Sequence, residues 1–307
     1  MEAKLKFKSD DILKRSVLYK VNKNDYTIKK LNILESEDEK GSPEEISVKI
    51  VFPHTEDQYK NVSLGSYEGG YTVWESTWVL LEFLESMEAN ESFSVLELGA
   101  GLGVCGTIMS LKCHKVTFQD LNMNVIKKGL IPNLLLNHTL RERKGEENEL
   151  GVTLVGEYED EMKNIHQIKT ESVKLVGEDE RKFEFEFLIG DWNHLVNTEE
   201  INSNQKGKYH IILASECIYR KENYESVVKI IHTFLKVKGR AYIATKRFYF
   251  GLSGGTFQFL QFIRENDHKY SENKLGAKII RSVEPKNSSN VIDLIEINKM
   301  PGENENN

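Results

Sequence analysis

A series of short apolar runs, each closing on a glycine or an acid, limits this chain to an α/β sheet. "SVLELG" (Ser94–Gly99) runs into glycines, "VCGTIMSLK" follows as a helix, and "KVTFQD" (Lys115–Asp120) ends in an acid. The pattern returns in "FEFEFLIGDW", "YHIILASE" and "RAYIATK". Between the last two, Tyr224, Val227, Val228, Ile231, Phe234 and Leu235 keep helical spacing, with Lys236, Lys238 and Gly239 at the exit. Strands alternating with helices predict a mostly parallel sheet. "AKIIRSV" and "VIDLIEI", joined only by "EPKNSSN", predict one antiparallel pair at the end.

Upstream, Thr72 to Met87 reads as a helix. Thr72 and Glu75 form a capping pattern, and Val73, Leu80, Leu84 and Met87 share a face. "NVIKKGL" reads as a helix stopped near Pro132. Residues 1–65 read as an N-terminal extension with strands at "VLYKV", "YTIKKLNI" and "ISVKIVF", and Glu35–Glu45 as a solvated linker. The main domain is expected over 66–302, and the tail 303–307 is expected to be disordered. The charged segment 141–182 reads as a surface insert with room for one hairpin.

Composition narrows the partners. A formal net charge of −7 disfavours bulk nucleic-acid binding, which needs a basic face. No apolar run approaches the roughly 20 residues of a membrane span, and no signal-peptide core opens the chain. Cys105, Cys113 and Cys217 lack metal spacing and read as reduced, buried thiols. The histidines show no ligand or triad pattern, so no metal is expected.

"ELGAGLGVCG" (Glu97–Gly106) lies between a strand and a helix, where open α/β sheets bind ligands. Two registers are open. Gly101, Gly103 and Gly106 spell G-x-G-x-x-G, with Asp120 about 20 residues beyond Gly101 to hold a ribose, as in dinucleotide sites. Glu97, Gly99, Gly101 and Gly103 spell E-x-G-x-G-x-G instead. A phosphate loop is not present, since no G-x-x-x-x-G-K-[ST] occurs.

That second register resembles the first motif of S-adenosylmethionine-dependent methyltransferases. With "YEGGYTVWES", "FQDLN", "GDW" (Gly190–Trp192), "SECIY" (Ser215–Tyr219) and "YFGLSGG" (Tyr249–Gly255), the chain is similar to protein-histidine methyltransferases that modify a large-subunit ribosomal protein. The resemblance implies a Rossmann-like seven-strand sheet with an antiparallel final strand. It implies S-adenosylmethionine as cofactor, held by Trp74, Glu97, Gly99, Gly101, Gly103, Asp120, Asp191, Trp192 and Ser215. Glu216 and Tyr219 become the catalytic candidates, and Tyr249, Phe250, Gly251, Gly254 and Gly255 the substrate-binding ones, with the two aromatic faces offered to an imidazole. Plainer roles stay open: Glu97 as a loop-ordering acid, Asp120 as a helix cap, Trp74 and Trp192 as packing. A monomeric enzyme of the cytoplasm or nucleus is expected, acting on a large-subunit ribosomal protein. A protein-lysine methyltransferase of the same fold, an NAD-dependent oxidoreductase and a non-catalytic module remain as alternatives.

Overall fold

The computed structural model describes residues 15–22, 26–37, 43–53, 69–139, 149–157, 166–172, 184–270, 273–285 and 290–302. The tail 303–307, residues 38–42 of the expected linker, and Tyr67 and Glu68 lie outside them. The strands are β1 (Arg15–Asn22), β2 (Tyr26–Glu37), β3 (Pro43–Pro53), β4 (Ser94–Leu98), β5 (Lys115–Asp120), β6 (Glu149–Glu157), β7 (His166–Ser172), β8 (Glu184–Ile189), β9 (Tyr209–Ser215), β10 (Leu235–Lys246), β11 (Leu275–Val283) and β12 (Ile292–Lys299). The helices are α1 (Glu75–Ser86), α2 (Val104–Ser110), α3 (Met123–Val125), α4 (Ile131–Thr139), α5 (Trp192–Asn197), α6 (Glu199–Gln205), α7 (Tyr224–Phe234) and α8 (Thr256–Asn266).

Seven strands form the expected sheet in the order β8-β5-β4-β9-β10-β12-β11. The pairs among β8, β5, β4, β9 and β10 are parallel, and β12 runs antiparallel to both β10 and β11. Beyond β8 the sheet continues antiparallel through β7, β6 and β1, so a hairpin of the charged insert and one strand of the N-terminal segment extend it. β2 and β3 form a separate antiparallel pair. The chain leaves β4 for β5 on one side and later returns to β9 on the other. That reversal opens a crevice at the carboxyl ends of β4, β5 and β9.

Both faces of the sheet are covered. Leu80, Leu84, Ile108, Met109, Phe118 and Leu130 build one buried layer. Leu195, Tyr224, Val227, Ile231, Phe234 and Phe259 build the other. The α7 stripe read from spacing is buried throughout except that Leu235 already belongs to β10. Lys299 caps the end of α7, its buried ammonium donating to the carbonyls of His232 and Leu235 (2.8 Å to the latter).

Two local expectations fail for identifiable reasons. Thr72 does not cap α1, whose N-cap is Trp74. The Thr72 N–H closes a turn onto the Gly69 carbonyl (2.9 Å), and the chain enters the helix only at Glu75. Pro132 does not stop its helix. It sits inside α4, directly after a π-helical stretch at Ile126–Leu130. Proline lacks an N–H and crowds the carbonyl four residues back, here Lys128, and the wider π turn absorbs both demands.

Candidate active site

The crevice is a cleft of about 970 Å³, its open mouth included. Its floor is the turn after β4. The αL glycines are Gly99, Gly101 and Gly103 (φ +57°, +54° and +68°), and Gly106 lies inside α2. The alternation thus follows the E-x-G-x-G-x-G register. Gly99 and Gly101 line the cleft, whereas Gly103 caps α2 and packs against Leu130 and Phe118.

The N–H groups of this turn are already engaged. Gly99 donates to Gln119 Oε1 (3.0 Å), Ala100 to the Gln119 carbonyl (2.7 Å) and Gly101 to Asp120 Oδ2 (2.8 Å). Gly103 donates to the Ala100 carbonyl (2.7 Å) and Gly106 to Glu97 Oε2 (2.8 Å). A pyrophosphate needs free N–H donors and no opposing charge. Here the N–H groups of Gly99, Ala100, Gly101 and Gly103 are used and the Asp120 carboxylate stands behind Gly101, so the turn suits a dinucleotide poorly.

Trp74, Glu97, Asp120, Asp191, Trp192, Ser215, Glu216 and Tyr219 all line the same cleft. Asp120 accepts from both the Gly101 and the Asn122 N–H (2.8 and 2.9 Å), which fixes its carboxylate at the cleft. Asp191 is the N-cap of α5, accepting the Asn193 N–H at 2.8 Å. Trp192 donates its indole N–H to Gln119, and its ring lies against Gly99. Gln119, only 1% exposed, also donates to the Gly190 carbonyl (2.8 Å). It cross-links three walls of the cleft. Its place beside Asp120 in "FQDLN" was the sequence signal, but nothing there discloses where an amide will point.

The far wall is built around Glu216. Its φ of +56° is left-handed, a conformation that costs a non-glycine residue about 1–2 kcal/mol. Its N–H is held by the Ala244 carbonyl (2.9 Å). Ser76 Oγ–H donates to one carboxylate oxygen at 2.6 Å, and the Tyr249 hydroxyl donates to the other. Thr77 and Ser215 join hydroxyls at 3.0 Å beside them. Ser76 and Thr77 carry no sequence signal for this, because they lie about 140 residues from their partners.

The aromatic glycine loop departs from expectation. Tyr249, Phe250, Gly251, Gly254 and Gly255 are not among the cleft-lining residues. Tyr249 turns inward to Glu216, and its ring meets Tyr219 edge-on at 6.2 Å rather than offering a face. Burial, reinforced by the Glu216 charge, pushes its hydroxyl far above the ordinary phenol range. Phe250 is 78% exposed and packs edge-on against Phe248. Gly254 lies against the backbone of Ile218–Arg220, its N–H donating to the Tyr219 carbonyl (3.0 Å). Gly255 N–H bonds the Tyr224 hydroxyl (2.9 Å), and open space surrounds the Gly251 Cα. The loop thus braces the "SECIY" segment from behind.

Comparison with known proteins adds the lineage. The histidine protein methyltransferase 1 homolog of Bos taurus is 31% identical over 209 residues, 66% of this chain and 50% of that protein. The homolog from Dictyostelium discoideum is 26% identical over 234 residues, covering 76% and 59%. Over about two thirds of its length the chain is similar to histidine protein methyltransferases. Histidine protein methyltransferase 1 of Schizosaccharomyces pombe is 28% identical over 211 residues, covering 63% and 56%. The chain therefore spans between half and three-fifths of the length of these curated relatives. A family profile described as lysine methyltransferase matches residues 60–145. That stretch holds the glycine turn and Asp120, but not Glu216 or Tyr219, so it bears on the donor half of the cleft.

The residues fit S-adenosylmethionine. Glu97 can meet an ammonium, Asp120 a ribose diol, and Trp192 with Leu121 the adenine, while Gly99 and Gly101 keep the floor clear. Among the described residues no group of His, Cys, Asp and Glu could hold a metal, and no helix is long and apolar enough to cross a membrane. The three cysteines are free and buried.

Glu97 is expected to make donor binding pH-dependent. Burial raises its pKa to about 8, against the lowering effect of the Gly106 and Cys105 N–H groups. The unfolded chain ionises this group near 4.5, the ordinary glutamate value. Between there and about 8 the folded protein holds the extra proton, so this group's contribution to stability falls as pH rises through that window. A cationic ligand favours the ionised form, and its binding releases the proton. Affinity for S-adenosylmethionine is expected to rise with pH between 6 and 8, and Glu97→Gln to flatten the profile. Calorimetry in buffers of different ionisation enthalpy checks both the slope and the proton released.

Proposed function

We propose that this protein transfers a methyl group from S-adenosylmethionine to a ring nitrogen of a histidine in a protein substrate, a large-subunit ribosomal protein. One observation carries the choice of residue: a clamped carboxylate, Glu216, on the cleft wall beside Tyr219. A lysine must first lose a proton, at about 4.6 kcal/mol at pH 7 (roughly 3.4 units at 1.36 each). A carboxylate beside it favours the charged ammonium and opposes that loss. A histidine, with a pKa near about 6.5, is already mostly neutral. The same carboxylate then accepts the N–H of one ring nitrogen and leaves the other as the nucleophile. The names of the relatives support this reading.

When bound, S-adenosylmethionine supplies an electrophilic methyl group on sulfur. Glu97, Asp120 and Trp192 hold its polar groups and base. Trp74 and Tyr219, both lining the cleft, would exclude water from the reacting atoms. The attacking ring nitrogen gains the methyl, sulfur keeps the bonding pair, and the other N–H proton passes to Glu216 and on to water. The net charge of −7 disfavours approach to ribosomal RNA, so the unassembled protein is the preferred form of substrate, in the cytoplasm or nucleus. A second reading, a protein-lysine methyltransferase, rests on the description of the profile alone, since its match over 60–145 covers the donor side and not Glu216 or Tyr219.

Incubation with large-subunit ribosomal proteins and methyl-labelled donor, followed by site mapping, separates the two. Label is expected on one histidine and is expected to vanish when that histidine is replaced. Label retained on the replaced substrate, or found on lysine, overturns the histidine reading.

A further inference from the structure

We propose that Tyr249 and Ser76 are positioning residues that decide which ring nitrogen is methylated, by locking the Glu216 carboxylate in one orientation; this rests on the histidine reading above. Neither residue lines the cleft, so any effect they have on the acceptor passes through Glu216. Ser76 comes from the first turn of α1 and is fully buried, and Tyr249 comes from the segment after β10.

The direction of the protons is settled by the neighbours. The Lys246 backbone N–H points at the Tyr249 oxygen (3.2 Å), and Thr245 Oγ1 lies 3.0 Å from it. A backbone N–H can only donate, so the phenol oxygen accepts there; at the Glu216 contact a carboxylate oxygen can only accept, so the proton between them is the phenol's. Ser76 supplies the second proton to the other oxygen. Each oxygen thus has one hydroxyl donor and one remaining acceptor position. The left-handed backbone of Glu216, pinned to Ala244, removes the remaining freedom at the base of the side chain. A neutral imidazole has one N–H and one lone pair. A carboxylate held in one orientation offers its remaining lone pairs along fixed directions, so it receives the imidazole N–H in one pose, and the opposite nitrogen becomes the nucleophile. Loss of either hydroxyl lets the carboxylate turn and admits both poses.

The test measures the ratio of the two methylhistidine isomers, separated by chromatography after hydrolysis, for wild type, Tyr249→Phe and Ser76→Ala. A merely structural contact would change the amount of product but not this ratio. Wild type is expected to give one isomer. Each variant is expected to give both, with kcat lowered roughly tenfold or more, the weight of one hydrogen bond to a charged group, and unchanged donor affinity by calorimetry. A single isomer from both variants, whether kcat falls or not, overturns the assignment and leaves the histidine reading standing. Wild type that labels lysine alone, or no residue, overturns both. Should Tyr249→Phe fail to fold, Ser76→Ala decides by the same ratio.

Discussion

Gly101→Ala is expected to weaken S-adenosylmethionine binding at least about 100-fold, equivalent to roughly 2.7 kcal/mol. Two causes add. A φ of +54° costs an L side chain about 1–2 kcal/mol. The new Cβ would also lie 2.8 Å from the Gly70 carbonyl oxygen, a backbone atom with no rotamer to yield. Relief requires moving Gly70 or the glycine turn, and both are walls of the cleft. The turn cannot move alone, because Gly101 N–H is bonded to Asp120. Calorimetry reads the loss directly. Gly207→Ala is the control, since Gly207 has a similar φ of +58° but nothing within 4 Å of its Cβ. A Gly101→Ala dissociation constant close to that of wild type would mean that the cleft floor tolerates the displacement.

Gly254→Ala tests the other wall. Its φ is not left-handed, so the effect is steric alone. The added Cβ would sit 2.3 Å from the Ile218 oxygen and the Tyr219 carbonyl carbon, and 2.5 Å from the Arg220 nitrogen. Pushing two backbone segments apart costs about 3 kcal/mol. That corresponds to a fall in melting temperature of roughly 6–12 °C for a domain of this size. Tyr219 and Arg220 line the cleft, so turnover is expected to fall with stability, and more steeply. Differential scanning calorimetry beside a methyl-transfer assay reads both. Gly251→Ala, in the same loop but with open space at its Cβ, is expected to leave turnover nearly unchanged. An unchanged melting temperature for Gly254→Ala would show that the loop does not brace the "SECIY" segment.

Much of the donor side was legible before any coordinates. β4, β5 and β9 begin and end within the apolar runs that announced them, because a buried parallel strand shows its limits as a change in composition. The choice between the glycine registers was not legible. It turned on which N–H groups were free, and the carboxylates of Glu97 and Asp120 and the Gln119 amide occupy several of them. Pro132 misled for a related reason: the π turn that accommodates it is a property of the packed helix, not of the proline.

The sequence by itself determined the seven-strand part of the sheet, the position of the glycine turn at its crossover, and the acids at the ends of β5 and β9, but not the extension of the sheet through β7, β6 and β1. These follow from local periodicity and from which residue types end a buried strand. Tertiary structure alone decided the wall facing the donor. Ser76, Glu216 and Tyr249 are separated by 140 and 33 residues, and only the docking of α1 and of the loop after β10 brings their oxygens together. A hydrogen bond depends on direction at a scale of tenths of an ångström. Spacing along a chain carries no record of it between residues so far apart.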